Sequence, residues 1–365
     1  MPIADQAPDY IRAISPYQPG KPISELAREM GLVEASIVKL ASNENPLGIS
    51  PMAKEAISRA VLELARYPDG NGFALKAALS ERTGVPMNGI VLGNGSNDVL
   101  ELVARTFLTP GSEAVFSEHA FAVYPLATMA VGGKPVVVPA KNFGHDLDAM
   151  AAAVTDKTGV IFIANPNNPT GTFLPGPQIA AFLEKIPERV LVVLDEAYTE
   201  YLSDDDRYDA IGWLARFPNL LVSRTFSKAY GLAGLRVGYG LAHPSVIDLL
   251  NRVRQPFNVN SLALAAATAA LSDEEFLAKS ADLNRRGMTQ LTDAFRAMSL
   301  EWIPSWANFV TVKVGDGETI NRKLLAQGVI VRLVASYGMP QWLRVSIGLP
   351  EENARFISAL KQALN

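Results

Sequence analysis

The chain has 365 residues, 48% of them hydrophobic and 19% charged, with a formal net charge of −4 and no cysteine. That balance suits a globular protein long enough for one large domain and a smaller one, and the absence of a basic block argues against nucleic acid or an anionic membrane as a partner. The missing thiols exclude disulfides, thiolate metal sites and cysteine nucleophiles, and they fit a reducing compartment. The opening Met1-Pro2-Ile3-Ala4-Asp5 lacks the basic and apolar regions of a signal peptide, and the longest apolar run, 262–271, has about half the length a membrane span needs. A cytoplasmic protein is expected.

Residues 1–35 carry scattered prolines and glycines (Pro8, Pro16, Pro19, Gly20, Pro22), with one short helical stretch at 24–30. A helix then begins at Ser50-Pro51, because serine suits the N-cap and proline the first helical position. Ala53, Ala56, Ile57, Ala60, Val61 and Leu64 give it one apolar face. Onward to 242, short apolar runs at 89–92, 114–116, 135–138, 160–164, 190–194, 220–223 and 237–241 alternate with amphipathic stretches. Continuous apolar strands separated by helices predict an α/β architecture with a mainly parallel central sheet covered on both faces. Ligands bind such sheets beyond the carboxyl ends of the strands. After residue 272 the texture changes. A long helix over 273–298 leads to strands at 308–314, 329–332 and 342–347, with helices around 319–327 and 350–364. This reads as a separate α+β unit. The expected division is a large domain over 36–272 and a smaller one over 273–365 that takes in the N-terminal arm, 1–35.

The polar motifs sit where strands end. Lys228 follows an apolar strand in Ser223-Arg-Thr-Phe-Ser-Lys-Ala-Tyr-Gly, among small hydroxyl residues and before a glycine-rich stretch. A Schiff-base lysine needs a fixed position and a depressed pKa, which burial beside cations supplies. Taken alone, it reads more readily as a surface lysine, since a single lysine is usually surface charge. Thr225, Ser227 and Arg236 together suit one phosphate. Asp195 ends the run 190–194 and continues as Glu-Ala-Tyr198. A carboxylate there lies in the predicted crevice, where it would keep a pyridine nitrogen protonated; capping a following helix is the bland alternative. Asn165-Pro-Asn-Asn168-Pro-Thr-Gly171 forms a rigid turn that would present Asn168 to the same crevice. Gly93-Asn-Gly-Ser-Asn97 opens a helix, where glycines let backbone N–H groups approach a phosphate; a capped helix after a tight turn is the plain alternative. It is neither a Walker loop nor a full dinucleotide fingerprint. Arg344 and Ser346 point away from Leu343, Val345 and Ile347, toward solvent or as a clamp on a substrate anion. His119, His145 and His243 are too dispersed for a metal site, and Asp204-Asp-Asp206 reads as a solvated loop.

Taken in order, these segments resemble the fold-type I, class I/II aminotransferases. The shared elements are a glycine-rich helix start, Asn-Asn-Pro-Thr-Gly, Asp-Glu-Ala-Tyr, Ser-Lys with an arginine eight residues later, and a late arginine in the small unit. The likeness covers nearly the whole chain. It implies the PLP-transferase fold, pyridoxal 5′-phosphate (PLP) as cofactor, and transfer of an amino group from an amino donor to a 2-oxo acid. Lys228 would carry the cofactor as a Schiff base and shuttle the proton. Asp195 would pair with the pyridinium nitrogen, and Tyr198 and Asn168 would bond the ring's phenolic oxygen. Ser96, Asn97, Thr225, Ser227 and Arg236 would hold the phosphate. Phe121 looks like the ring-stacking aromatic, although Glu118-His-Ala-Phe121 departs from the proline and tyrosine often found nearby. Tyr67, in Arg66-Tyr67-Pro-Asp-Gly, looks like the tyrosine that reaches the neighbouring subunit's cofactor, which implies a homodimer with shared sites.

Within that family, Ser15-Pro-Tyr17-Gln, Lys39-Leu-Ala-Ser-Asn-Glu-Asn-Pro-Leu-Gly48 and Gly328-Val-Ile-Val-Arg332 resemble the histidinol-phosphate aminotransferases. The resemblance implies that Tyr17 and Arg332 bind the substrate phosphate, that Arg344 faces the substrate, and that 2-oxoglutarate is the acceptor. An aromatic amino-acid aminotransferase on the same scaffold is the alternative, since the arginines can equally clamp a carboxylate. A PLP-dependent decarboxylase or lyase is a third reading. A PLP sensor fused to a DNA-binding module is opposed by the absence of a helix-turn-helix or basic segment.

Overall fold

In the computed structural model, which describes residues 2–365, every apolar run expected as a strand pairs into a sheet. The strands are, in chain order, β1 (Val38–Lys39), β2 (Ile90–Gly93), β3 (Glu113–Ser117), β4 (Lys134–Val138), β5 (Thr158–Ala164), β6 (Leu191–Asp195), β7 (Leu220–Thr225), β8 (Gly238–Ala242), β9 (Trp302–Ile303), β10 (Phe309–Lys313), β11 (Val329–Ile330), β12 (Arg332–Leu333) and β13 (Trp342–Ser346). Seven of them form one sheet in the order β2-β8-β7-β6-β5-β3-β4. The apolar runs of β5, β6 and β7 are continuous because both faces are covered. Ile161, Ile163, Val192, Leu194 and Val222 enter the core on one side; Val160, Phe162, Leu191, Val193 and Leu221 enter the core on the other. Each such side chain stabilises the fold by roughly 1.5–3 kcal/mol relative to exposure.

The register brings the functional strand ends to one edge. β5, β6 and β7 are parallel, with Ala164 opposite Asp195 and Asp195 opposite Ser223. β8 runs antiparallel to both neighbours, so its start, Gly238, lies beside Gly93 and Thr225. What precedes β8 therefore arrives at the edge where the parallel strands finish. That is how Arg236 joins residues that follow strands.

The C-terminal part forms a separate antiparallel sheet, β12-β13-β10-β9. Helices Glu274–Ala297, Gly317–Ala326 and Pro350–Leu364 supply Leu291, Phe295, Leu324, Phe356 and Leu360 to its core. Their starts follow from sequence. Asp273 and Asp316 cap the first two through side-chain bonds to Phe276 and Thr319 backbone N–H groups, and Pro350 occupies the first turn of the third.

The boundary expected at residue 36 needs correction. β1 pairs in parallel with β11, with Val38 opposite Val329, and Leu40 is buried in the C-terminal core. Residues 38–40 thus pack with the smaller unit, and a two-residue strand shows no periodicity from which that could be read. The expected strand at 329–332 divides between two sheets, as β11 and β12. The N-terminal arm also divides. Helix Ile23–Met30 packs through Leu26 and Ala27 on Ile37, Ala41 and Ile330, whereas the Tyr10 ring lies against Gly132, just beyond helix Val123–Ala130. Asp206 is not simply solvated: it accepts from Trp306 Nε1 at 3.0 Å and ties its loop to the C-terminal unit.

Candidate active site

The edge where β5, β6 and β7 end is the floor of a cavity of about 250 Å³ closed over by the C-terminal unit and the N-terminal segment. Lys228, three residues beyond β7, lies within it and donates to the Ser42 carbonyl at 3.0 Å. Desolvation, with the nearby Arg344 and Arg236 guanidinium groups, pushes its ammonium down to about 7. A lysine so shifted has a substantial uncharged fraction near neutral pH and is available as a nucleophile and base.

Asp195 closes β6 and is 5% exposed. Burial raises its carboxyl to about 6, opposed by a hydrogen bond from the Tyr124 hydroxyl to Oδ2 at 2.9 Å. Its other oxygen, Oδ1, is buried with no partner. A carboxylate with one oxygen anchored and the other unpaired suits a cationic N–H donor. The capping alternative for Asp195 fails, since the following Glu196–Tyr198 segment is a turn leading into the 3-10 stretch Thr199–Tyr201, with no side-chain cap.

Tyr198 is buried and its hydroxyl oxygen accepts from Asn43 Nδ2 at 3.0 Å. Burial pushes that phenol up to about 12, which keeps it a neutral donor. Asn168 presents its amide as expected, and Oδ1 accepts from Arg344 Nη1 at 2.5 Å. Arg344 is 6% exposed, so the solvent-face reading of its strand is overturned. β13 is covered on both faces, and Arg344 Nη2 also donates to the Ala41 carbonyl at 2.8 Å.

Opposite the lysine, Ser96 starts helix Ser96–Phe107 with Gly95 before it at φ 81°. A side chain on Gly95 would collide with the Arg236 guanidinium, so glycine keeps open the space between that cation and the helix N-terminus. Arg236 Nη1 donates to Ser227 Oγ at 3.3 Å, and Thr225 and Asn97 line the same end. The set fits a planar, phosphorylated pyridine aldehyde such as PLP: a phosphate cradle, an unpaired carboxylate oxygen and a lysine of depressed pKa face one cavity. Phe121 lines it as well, with its ring edge-on to Tyr124 at 5.9 Å.

At the mouth, the Arg332 guanidinium lies 5.3 Å from the Tyr17 ring centroid and donates to the Gln18 carbonyl at 2.7 Å. Both residues line the cavity. Tyr67 does not. It is 82% exposed, stacks on Phe257 at 4.9 Å and borders a separate apolar groove with Leu75 and Leu264.

Three participants were given no role from sequence, although Ser42 and Asn43 lie within the 39–48 segment already noted. Ser42 and Asn43 lie in an irregular segment, and Tyr124 is hidden in an apolar helix. Tyr124 follows Phe121 by three residues, within the first turn of helix Val123–Ala130, and nothing in the sequence marks it out.

The aminotransferase class I and II family model matches residues 35–360. The chain is 63% identical over 361 residues to histidinol-phosphate aminotransferase 1 of Cupriavidus pinatubonensis, covering 98% of this chain and 96% of that protein. It is 61% identical over 364 residues to histidinol-phosphate aminotransferase 1 of Dechloromonas aromatica, covering 100% of each. The crystal structure of histidinol-phosphate aminotransferase from Sinorhizobium meliloti in complex with pyridoxal-5′-phosphate superposes with a TM-score of 0.90 at 29% identity, over 98% of this chain and 96% of that one. With its strand-end lysine and carboxylate, and with relatives aligned over its full length, the chain belongs to the class I and II aminotransferases.

Proposed function

We propose that this chain is a PLP-dependent transaminase that interconverts L-histidinol phosphate and 2-oxoglutarate with imidazole-acetol phosphate and L-glutamate. The observation that carries the substrate assignment is the second cationic station at the cavity mouth, Arg332 against Tyr17, set apart from the cradle around Arg236. Histidinol phosphate has no α-carboxylate, so its remote phosphate is the group a second cation must recognise. The full-length relatives of the same name support the reading.

The cofactor, when bound, supplies an electron sink for the charge left at the donor's α-carbon. With the cofactor bound, Lys228 would hold it and, as a base of depressed pKa, would move the proton at the donor's α-carbon. Asp195 holds the ring nitrogen protonated through the oxygen that Tyr124 leaves free. Tyr198 and Asn168 bond the phenolic oxygen, and Asn168 also buttresses Arg344. Ser96, Asn97, Thr225, Ser227 and Arg236 fix the phosphate, and Phe121 covers the ring. Arg344 faces the substrate, and accepts the carboxylate of 2-oxoglutarate or glutamate in the second half-reaction.

Tyr67 belongs to the same reading as a residue given to a second copy of the chain. Its exposure, with Leu62, Leu64 and Phe73 also exposed nearby, supports a homodimer with shared sites. No helix among the described residues is long and apolar enough to cross a membrane, and a cytoplasmic location is proposed. The test is a half-reaction with PLP-loaded protein, adding L-histidinol phosphate or L-phenylalanine separately and following conversion of the cofactor's absorbance to that of pyridoxamine phosphate. Efficient conversion by histidinol phosphate alone is expected; preference for phenylalanine would make the chain an aromatic aminotransferase and Arg344 its carboxylate clamp.

A further inference from the structure

Asn43 sits behind Tyr198, and its hydrogen bonds have a direction. The residue is 1% exposed and holds φ 55°, a conformation that asparagine tolerates better than most L-residues. Its backbone N–H donates to Ser346 Oγ at 2.8 Å, and its carbonyl accepts from Asn308 Nδ2 at 2.9 Å. The Ser346 hydroxyl donates to Asn43 Oδ1 at 3.0 Å, while Asn43 Nδ2 donates to the Tyr198 oxygen at 3.0 Å.

The orientation of the amide follows from counting protons. A backbone N–H can only donate, so Ser346 Oγ must accept from Asn43. Ser346 has one proton left to place and is 4% exposed. Asn43 Oδ1 takes that proton. The reverse amide orientation would aim a second donor at Ser346 and leave its own proton without an acceptor. The amide nitrogen therefore faces Tyr198. A tyrosine hydroxyl whose oxygen accepts from an amide keeps its own proton for another acceptor.

We propose that Ser346 and Asn43 are positioning residues that set the direction of the Tyr198 hydroxyl, turning its proton into the cavity as a donor to the cofactor's phenolic oxygen. The inference rests on the role proposed above for Tyr198. Ser346 lies two residues from Arg344 on β13, and both side chains point to the same face. One strand of the C-terminal unit thus delivers the substrate arginine and also fixes which way a tyrosine of the large unit donates. Without the Asn43 amide, the Tyr198 hydroxyl is free to accept as well as to donate, and its bond to the phenolic oxygen weakens.

The test is a pH titration of the visible absorbance of the PLP-loaded protein, with no amino donor present. The absorbance follows the proton shared between the Lys228 nitrogen and the phenolic oxygen. A donor at that oxygen stabilises the anionic form and lowers the midpoint; losing it raises the midpoint by about one pH unit. Tyr198→Phe, Ser346→Ala and Asn43→Asp are each expected to raise it. Asp tolerates the left-handed backbone and can only accept from Tyr198, drawing its proton away. The added negative charge raises the midpoint by itself, so each variant is repeated in a Tyr198→Phe background. There the directional effect vanishes: Ser346→Ala adds nothing, and Asn43→Asp adds less than it does in the wild type. Unchanged midpoints in Ser346→Ala and Asn43→Asp, or shifts that persist in full without the tyrosine hydroxyl, would overturn the proposal while leaving the role of Tyr198 intact. An unshifted midpoint in Tyr198→Phe alone would overturn that role and the inference together.

Discussion

The floor and the mouth of the cavity are held in different ways. At the floor, Asp195 ends β6, and Asn168 and Lys228 follow β5 and β7, three neighbouring strands of one buried sheet. At the mouth, half-exposed Tyr17 comes from an irregular N-terminal segment, and Arg332 starts a two-residue strand in a different sheet. The floor's groups are fixed by a hydrophobic core that also displaces their pKa values, which is what bond-making at an α-carbon requires. The mouth needs only to place a cation where a ligand's anionic tail arrives. On the proposed reading, chemistry sits at the strand ends, and choice of substrate in loops and the domain seam, where a change costs the fold little.

Breaking the floor is expected to have the largest effect. Lys228→Ala should lower transamination by about 10⁴-fold or more, since proton transfer and the covalent attachment are lost together. Turnover near the wild-type rate would remove the assignment. Asp195→Ala should retain some cofactor and lose about 10²–10³-fold in kcat, the loss of charge stabilisation in a desolvated site. At the mouth the scale falls. Arg332→Ala should raise KM for histidinol phosphate about 10–100-fold, the loss of a charge-assisted phosphate contact, with little change in the half-reaction with glutamate. Equal losses for both substrates would dissolve the distinction between floor and mouth. Tyr67→Phe is expected to weaken PLP retention about 5-fold in equilibrium dialysis, and only if a second copy of the chain completes the site.

The smallest expected effect concerns stability. The folded pKa of Lys228, about 7, lies below its ordinary value of 10.5. Between those limits the unfolded chain binds more protons, so the lysine's contribution to stability is fully present above 10.5 and is lost as pH falls through 7. In cofactor-free protein, Lys228→Met should raise the melting temperature by about 2 °C at pH 7–8 and flatten its rise toward pH 10. An unchanged pH slope would mean that the floor does not hold the lysine uncharged.

Much of this molecule is legible in its sequence. The seven apolar runs of the large sheet lie where the pattern puts them; in β5, β6 and β7 this is because strands buried on both faces need uninterrupted apolar residues, while the edge strand β4 is partly exposed. Ser50-Pro51, Asp273 and Pro350 mark helix starts by chemistry local to each turn. The place of Lys228, Asp195 and Asn168 at the cavity was also readable, since each sits just past such a run. Tertiary structure decided the rest. Arg236 reaches the floor only because β8 runs against its neighbours, and strand direction is not written in hydrophobic periodicity. Arg344 is buried rather than solvated because the large unit covers its face of β13. β1 leaves the large unit for β11, and Tyr124 and Asn43 meet Asp195 and Tyr198 across separations of 71 and 155 residues. Local pattern specifies what a segment must bury; which distant segment supplies the partner follows from how the buried faces pack.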